Sequence, residues 1–189
     1  MSTWKTRLPM QITLLRIVLT IPIVAALWPN TLAWNMVAAG LFILASVSDY
    51  YDGYFARKYN AVSTMGKFMD PVADKILVTS VLTLLILPGK VDPFLVILLT
   101  ARDTWIGAIR AVAAADGVII AARQAGKWKT ALQMAGIPAV ILWDLPFLPG
   151  GGAWLGPLGY ALLWFSTILS IASGLEYHRA YLAGRQKVA

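Results

Sequence analysis

Six apolar stretches dominate this chain, and their length decides what it can become. They run roughly over residues 9–28, 34–57, 68–87, 93–114, 130–146 and 154–175. A helix needs about 20 such residues to cross the hydrocarbon core of a bilayer. In lipid the backbone must satisfy its own hydrogen bonds, which leaves helices or closed barrels. Strand-like alternation of apolar and polar residues is absent from the sequence. The expectation is an all-α, polytopic membrane protein with six transmembrane helices, forming a single domain over residues 1–189. The fifth stretch is short and carries Gly136 and Pro138, so a tilt or bend is expected there.

Composition supports lipid as the main solvent. Hydrophobic residues make up 59% and charged residues 13%, against about 25% charged in soluble domains. There is no cysteine, which excludes disulfides, a thiol nucleophile and a thiolate zinc site. The first apolar segment has no small-residue cleavage site after a short core, so it is expected to stay as a spanning helix. The net charge of +7 fits a basic cytoplasmic face better than nucleic acid, for which the chain has no module.

Charge also orients the chain. Lys5 and Arg7 precede the first stretch. Arg57, Lys58 and Lys67 flank the second connection, and Arg123, Lys127 and Lys129 mark the fourth. The tail carries Arg179, Arg185 and Lys187, whereas the first and fifth connections have no Lys or Arg. Positive-inside alternation then puts both termini in the cytoplasm of a multi-pass inner-membrane protein. Trp4, Trp28, Trp34, Trp128, Trp143, Trp154, Tyr177 and Tyr181 fall near the predicted ends and read as an interfacial aromatic belt.

Four aspartates interrupt this apolar background. Asp49, Asp52, Asp70 and Asp74 belong to a total of only nine acidic residues. Asp49 and Asp52 are three apart, and Asp70 and Asp74 four apart, so each pair shares a helix face. At about 2.5–3.5 kcal/mol each on insertion scales, four buried carboxylates demand positive charge among them. One or two divalent cations answer that demand, and oxygen ligands suit Mg2+ or Mn2+. All four lie near the cytoplasmic ends of the second and third helices, so the active site should open to the cytoplasm. Gly53 and Ala56 leave the backbone open to close approach. Arg57 fits either a phosphate or a positive-inside anchor, and Gly66 precedes a helix N-terminus that favours an anion. Metal, phosphate-seeking cations and a membrane site point to phosphoryl transfer on a lipid. An ion-coupled transporter is a competing class, but its polar path should reach both faces.

The pattern Asp-x2-Asp-Gly-x2-Ala-Arg-x8-Gly-x3-Asp-x3-Asp, met from Asp49 to Asp74, resembles the signature of the CDP-alcohol phosphotransferases. The likeness is strongest to the bacterial branch whose acceptor is glycerol 3-phosphate. Leu8-Pro9 with Thr13 and Arg16, the run from Asp70 to Lys75, Ala101-Arg102-Asp103 with Arg110, and Gly126-Lys127-Trp128-Lys129-Thr130 carry it. The chain departs from the family pattern at Met10, where an asparagine is expected. The resemblance implies a six-helix membrane core and a homodimer. It also implies that Asp49, Asp52 and Asp70 ligate metal, with Asp74 both ligand and general base. Gly53, Ala56, Arg57 and Gly66, with Asp52, would hold the cytidine nucleotide of CDP-diacylglycerol. The acceptor would be a phosphorylated alcohol such as glycerol 3-phosphate, or inositol phosphate in a sister activity.

Fixed positive charge suits a phosphorylated acceptor. Arg102 and Arg110 lie eight residues apart on the fourth helix, about 12 Å along its axis. Lys127 and Lys129 enter the fifth helix, and Thr13 and Arg16 lie on the first. The alternatives are lipid headgroups for Arg110, Lys127 and Lys129, and snorkelling for Arg16. Asp103, adjacent to Arg102, is expected to point elsewhere. His178 reads as a solvated tail residue, and Asp92 with Lys90 as a polar outer turn. Asp116 and Asp144 read as helix-end or loop residues.

Overall fold

The computed structural model describes the backbone of residues 3–58, 64–116, 124–143 and 145–185. Within these it describes the side chains of 13–48, 69, 72–113, 116, 128–143, 145–150 and 152–182. Six helices account for nearly all of it, and no strand occurs among the described residues. They are α1 (Thr3–Leu27), α2 (Leu32–Lys58), α3 (Thr64–Ile86), α4 (Pro93–Ala115), α5 (Gln124–Ile141) and α6 (Leu155–Arg185). A short 3-10 turn, Pro149–Gly152, precedes α6.

Local chemistry sets the ends. The third helix stops at Pro88-Gly89, where Gly89 takes φ 71° and its N–H bonds to the Ile86 carbonyl at 2.9 Å. The fourth starts with Pro93, whose missing N–H is no loss at a first helical position. Asp92 caps it, accepting from the Phe94 N–H at 2.6 Å. Lys90 crosses to α5 and donates to the Ile141 carbonyl at 2.9 Å. The α3–α4 turn is therefore a double cap, with a cation on the negative end of α5.

The main packing pairs close a ring: α1 on α2, α2 on α5, α5 on α6, α6 on α4, α4 on α3, and α3 back on α1. Small residues allow the α5–α6 contact. A Cβ on Gly159 would lie 2.8 Å from the Gly136 carbonyl and the Val140 nitrogen. One core cluster joins all six helices, through Ile23, Phe42, Leu82, Leu95, Ile137 and Leu163 among others. These residues sit toward the ends bearing Leu27, Leu32, Ile86, Pro93, Ile141 and Leu155. The apolar core thus fills one half of the bundle. Toward the other ends lie buried polar side chains, including Thr13, Arg16, Lys129, Gln133, Ser166 and Ser170, with a second, smaller apolar cluster of Ile106, Ile109, Ala113 and Tyr181.

The outside is apolar. Leu15, Ile21, Leu44, Ile97, Phe165 and Leu175 are all exposed, a surface that water does not tolerate over several helices. Among the described residues, Leu155–Leu182 is long and apolar enough to cross a bilayer, and Thr13–Leu27 and Leu32–Ser48 are shorter apolar stretches.

Three expectations need correction. The fifth helix runs from Gln124 to Ile141 rather than 130–146, and the sixth continues to Arg185 rather than 175. Apolar composition marks where lipid ends, not where a helix ends, and Glu176-Tyr177-His178-Arg179-Ala180 is helix-compatible without being apolar. Second, Trp28, Trp34, Trp128 and Trp154 are exposed as a belt requires, but Tyr181 is buried. Its hydroxyl donates to Asp116 Oδ2 at 2.7 Å. Trp143 packs on the core instead, over bare Gly156. Third, His178 is half-buried within α6, its ring 6.0 Å from that of Trp105.

Candidate active site

The polar half of the bundle converges on a small cavity between α3, α4 and α5. Asp74, Lys75, Thr79, Thr100, Asp103 and Gln133 line it, with Val78, Leu82 and Leu99. Its volume is about 10 Å3, room for roughly one water. Asp74 lies one turn after Asp70 on α3, and Lys75 and Thr79 follow on the same inward arc. Gln133 lies one turn after Lys129 on α5.

Asp103 is the junction. Its Oδ1 accepts from Lys129 Nζ and from Arg102 Nη1, the latter at 3.0 Å. Its backbone carbonyl accepts from Lys75 Nζ at 2.8 Å. Arg102 also donates through Nε to the Ser170 carbonyl at 2.7 Å and through Nη2 to Ser173 Oγ at 2.8 Å. The expectation that Asp103 points away from Arg102 is overturned. Neighbours on a helix are only about 100° apart, and both of these border the interior. A long, flexible arginine closes the remaining gap.

The other predicted cations divide. Thr13 and Arg16 are fully buried on α1, at 0% and 1% exposure, so Arg16 does not snorkel. Arg110 is exposed, its guanidinium 5.2 Å above the Tyr177 ring. The backbone puts Asp49, Asp52, Gly53, Ala56 and Arg57 in the last turns of α2, Gly66 and Asp70 in the first turns of α3, and Lys127 early in α5. Their side chains lie outside the described residues, as does Asp144.

Sequence reasoning gave no role to Lys75, Asp103 or Gln133. The Gln133 Nε2 is buried without a hydrogen-bond partner beside Asp74. Its only sequence signal was an amide one turn beyond a lysine in an otherwise apolar helix.

The family model for CDP-alcohol phosphatidyltransferase matches residues 6–172. The chain belongs to this family. It is therefore an enzyme of the phosphatidyltransferase class, from a membrane-associated, divalent-metal-dependent family. Its relatives include proteins named CDP-diacylglycerol–glycerol-3-phosphate 3-phosphatidyltransferase. The one from Bacillus subtilis (strain 168) is 36% identical over 183 residues, covering 90% of this chain and 92% of the relative. The one from Rickettsia felis is 35% identical over 174 residues, covering 92% and 94%. The one from Salmonella choleraesuis is 32% identical over 177 residues, covering 90% and 92%.

The backbone carries Asp49 and Asp52 on one helix and Asp70 and Asp74 on another, and carboxylate oxygens are the donors that a hard cation takes. Asp74, half-buried, lines the polar cavity.

Proposed function

We propose that the enzyme transfers the phosphatidyl group of CDP-diacylglycerol to glycerol 3-phosphate, giving phosphatidylglycerol phosphate and CMP. One observation carries the reading: Asp74 shares its cavity with Lys75 and with Asp103, which gathers Lys129 and Arg102. A carboxylate that takes a proton thus stands beside cations that suit a phosphorylated acceptor. The names of relatives at about this length support the same acceptor.

Asp49, Asp52, Asp70 and Asp74 are assigned to one or two Mg2+ or Mn2+ ions, which when bound neutralise the donor diphosphate and the departing CMP. Gly53, Ala56, Arg57 and Gly66 are assigned to the cytidine nucleotide, small residues giving access and Arg57 a charge. Asp74 accepts the proton of the acceptor hydroxyl as its oxygen bonds to the phosphorus that carries the diacylglycerol oxygen. The phosphorus–oxygen bond to CMP breaks in the same displacement. Arg16, Arg102, Arg110, Lys127 and Lys129, with Thr13, supply positive charge and donors for the acceptor phosphate. We further assign six membrane spans in an inner membrane, a cytoplasmic active site and termini, one domain, and a homodimer.

The test is CMP release from CDP-diacylglycerol in detergent micelles with Mg2+. Glycerol 3-phosphate, inositol 1-phosphate, free inositol and serine are offered in parallel. Release with glycerol 3-phosphate alone supports the assignment. Release only with another acceptor moves the specificity and keeps the chemistry, and no release from folded protein removes both.

A further inference from the structure

We propose that Asp103 is a positioning residue for the acceptor, setting the spacing of three cations beside Asp74. The inference rests on the reaction proposed above. Four helices meet at this one residue. Its carboxylate holds Lys129 of α5 and Arg102 of α4, and Arg102 reaches α6 through the Ser170 carbonyl and Ser173 Oγ. Its carbonyl holds Lys75 of α3. One turn on, Gly107 leaves room for that amine, since a Cβ there would lie 2.7 Å from Lys75 Nζ.

A tie between helices would need only balanced charge. Among the described residues this cluster is not balanced: Lys75, Arg102 and Lys129 outnumber Asp74 and Asp103 by one. The side chains of Lys129, Arg102 and Asp103 are 9%, 17% and 20% exposed, so the repulsion between Lys129 and Arg102 is weakly screened. Without the shared oxygen, Lys129 and Arg102 would separate, and the geometry offered to a phosphate would change. Gln133, whose Nε2 donor is buried without a partner among the described residues, lines the same cavity.

The experiment compares wild type, Asp103→Asn, Asp103→Glu, Lys129→Met and the Asp103→Asn/Lys129→Met double variant in micelles. Asp103→Asn should raise the KM for glycerol 3-phosphate about tenfold or more, with the KM for CDP-diacylglycerol changed less than about twofold. Asp103→Glu should recover much of that loss. Because Asp103 also holds Arg102, the double variant should show a KM above that of Lys129→Met alone but well below the product of the two effects. It also removes both partners of the pair, so it keeps the question answerable should Asp103→Asn fail to fold. Equal rises in both KM values, a fall in kcat alone, or multiplicative effects in the double variant would overturn the inference. Wild type that turns over only another acceptor overturns the proposed function, and this inference with it.

Discussion

At the scale of single residues, the carboxylate of Asp74 and the amide of Gln133, whose Nε2 has no partner among the described residues, line one cavity from α3 and α5. Asp74→Asn keeps the shape and removes the proposed base. We expect transfer to fall by about 10²–10⁴-fold, the usual worth of a positioned general base. The thermal midpoint in detergent should change little, because Asp74 is only half-buried. Full activity in that variant would remove the base assignment. Gln133 makes the complementary case. A buried donor without a partner costs about 1–3 kcal/mol, so Gln133→Leu should stabilise the substrate-free enzyme. The same variant should lose activity if the amide serves substrate. A lowered midpoint would mean that the amide is already satisfied in the resting enzyme. That the backbones of Asp70 and Asp74 stand one helical turn apart was legible because one helix, α3, runs through both positions. The pairing of Arg102 with Asp103 was not, because a flexible side chain escapes that rule. Nor was Gln133, whose importance lies in what it lacks.

At the scale of elements, four helices were readable to within a few residues, except that α1 begins at Thr3, six residues before its apolar run. Pro93 with Asp92 and Pro88-Gly89 announce the α3–α4 turn. The two helices misjudged at their ends, α5 and α6, extend into polar sequence that hydropathy does not record. Their contact is also where a small change should matter most. A Cβ on Gly159 would press on the backbone of α5 at 2.8 Å. Gly159→Ala should therefore destabilise the bundle by about 1–3 kcal/mol, as overpacking does. Gly40 is the control: it lies within α2 with nothing within 4 Å of an added Cβ. Gly40→Ala should stabilise by roughly 0.5–1 kcal/mol through chain entropy alone. Thermal unfolding of both in one detergent decides the matter. Equal effects would mean that the α5–α6 approach is looser than this geometry.

At the scale of the whole molecule, the two halves of the bundle have different jobs. The half closed by Val91, Lys90 and the Asn30 turn holds the common apolar core. The other half combines buried polar groups with a smaller apolar cluster around Ile106 and Tyr181. The cavity beside Asp74 needs rigid walls, and the apolar half supplies them; Asp92 at that end is exposed and caps α4 rather than entering the core. The same division predicts orientation. Basic connections lie at the polar end and nearly uncharged ones at the apolar end, so the polar end should face the cytoplasm. The absence of cysteine makes this directly measurable. Leu87 and Phe147 are 74% and 65% exposed at the apolar end, and Leu182 is 48% exposed near the other. Each is replaced singly by cysteine and treated with a membrane-impermeant maleimide. In intact spheroplasts, Leu87→Cys and Phe147→Cys should be labelled, and Leu182→Cys only after permeabilisation. The reverse pattern would turn the site outward, away from any cytoplasmic supply of glycerol 3-phosphate. The proposed acceptor would then have to be abandoned along with the orientation.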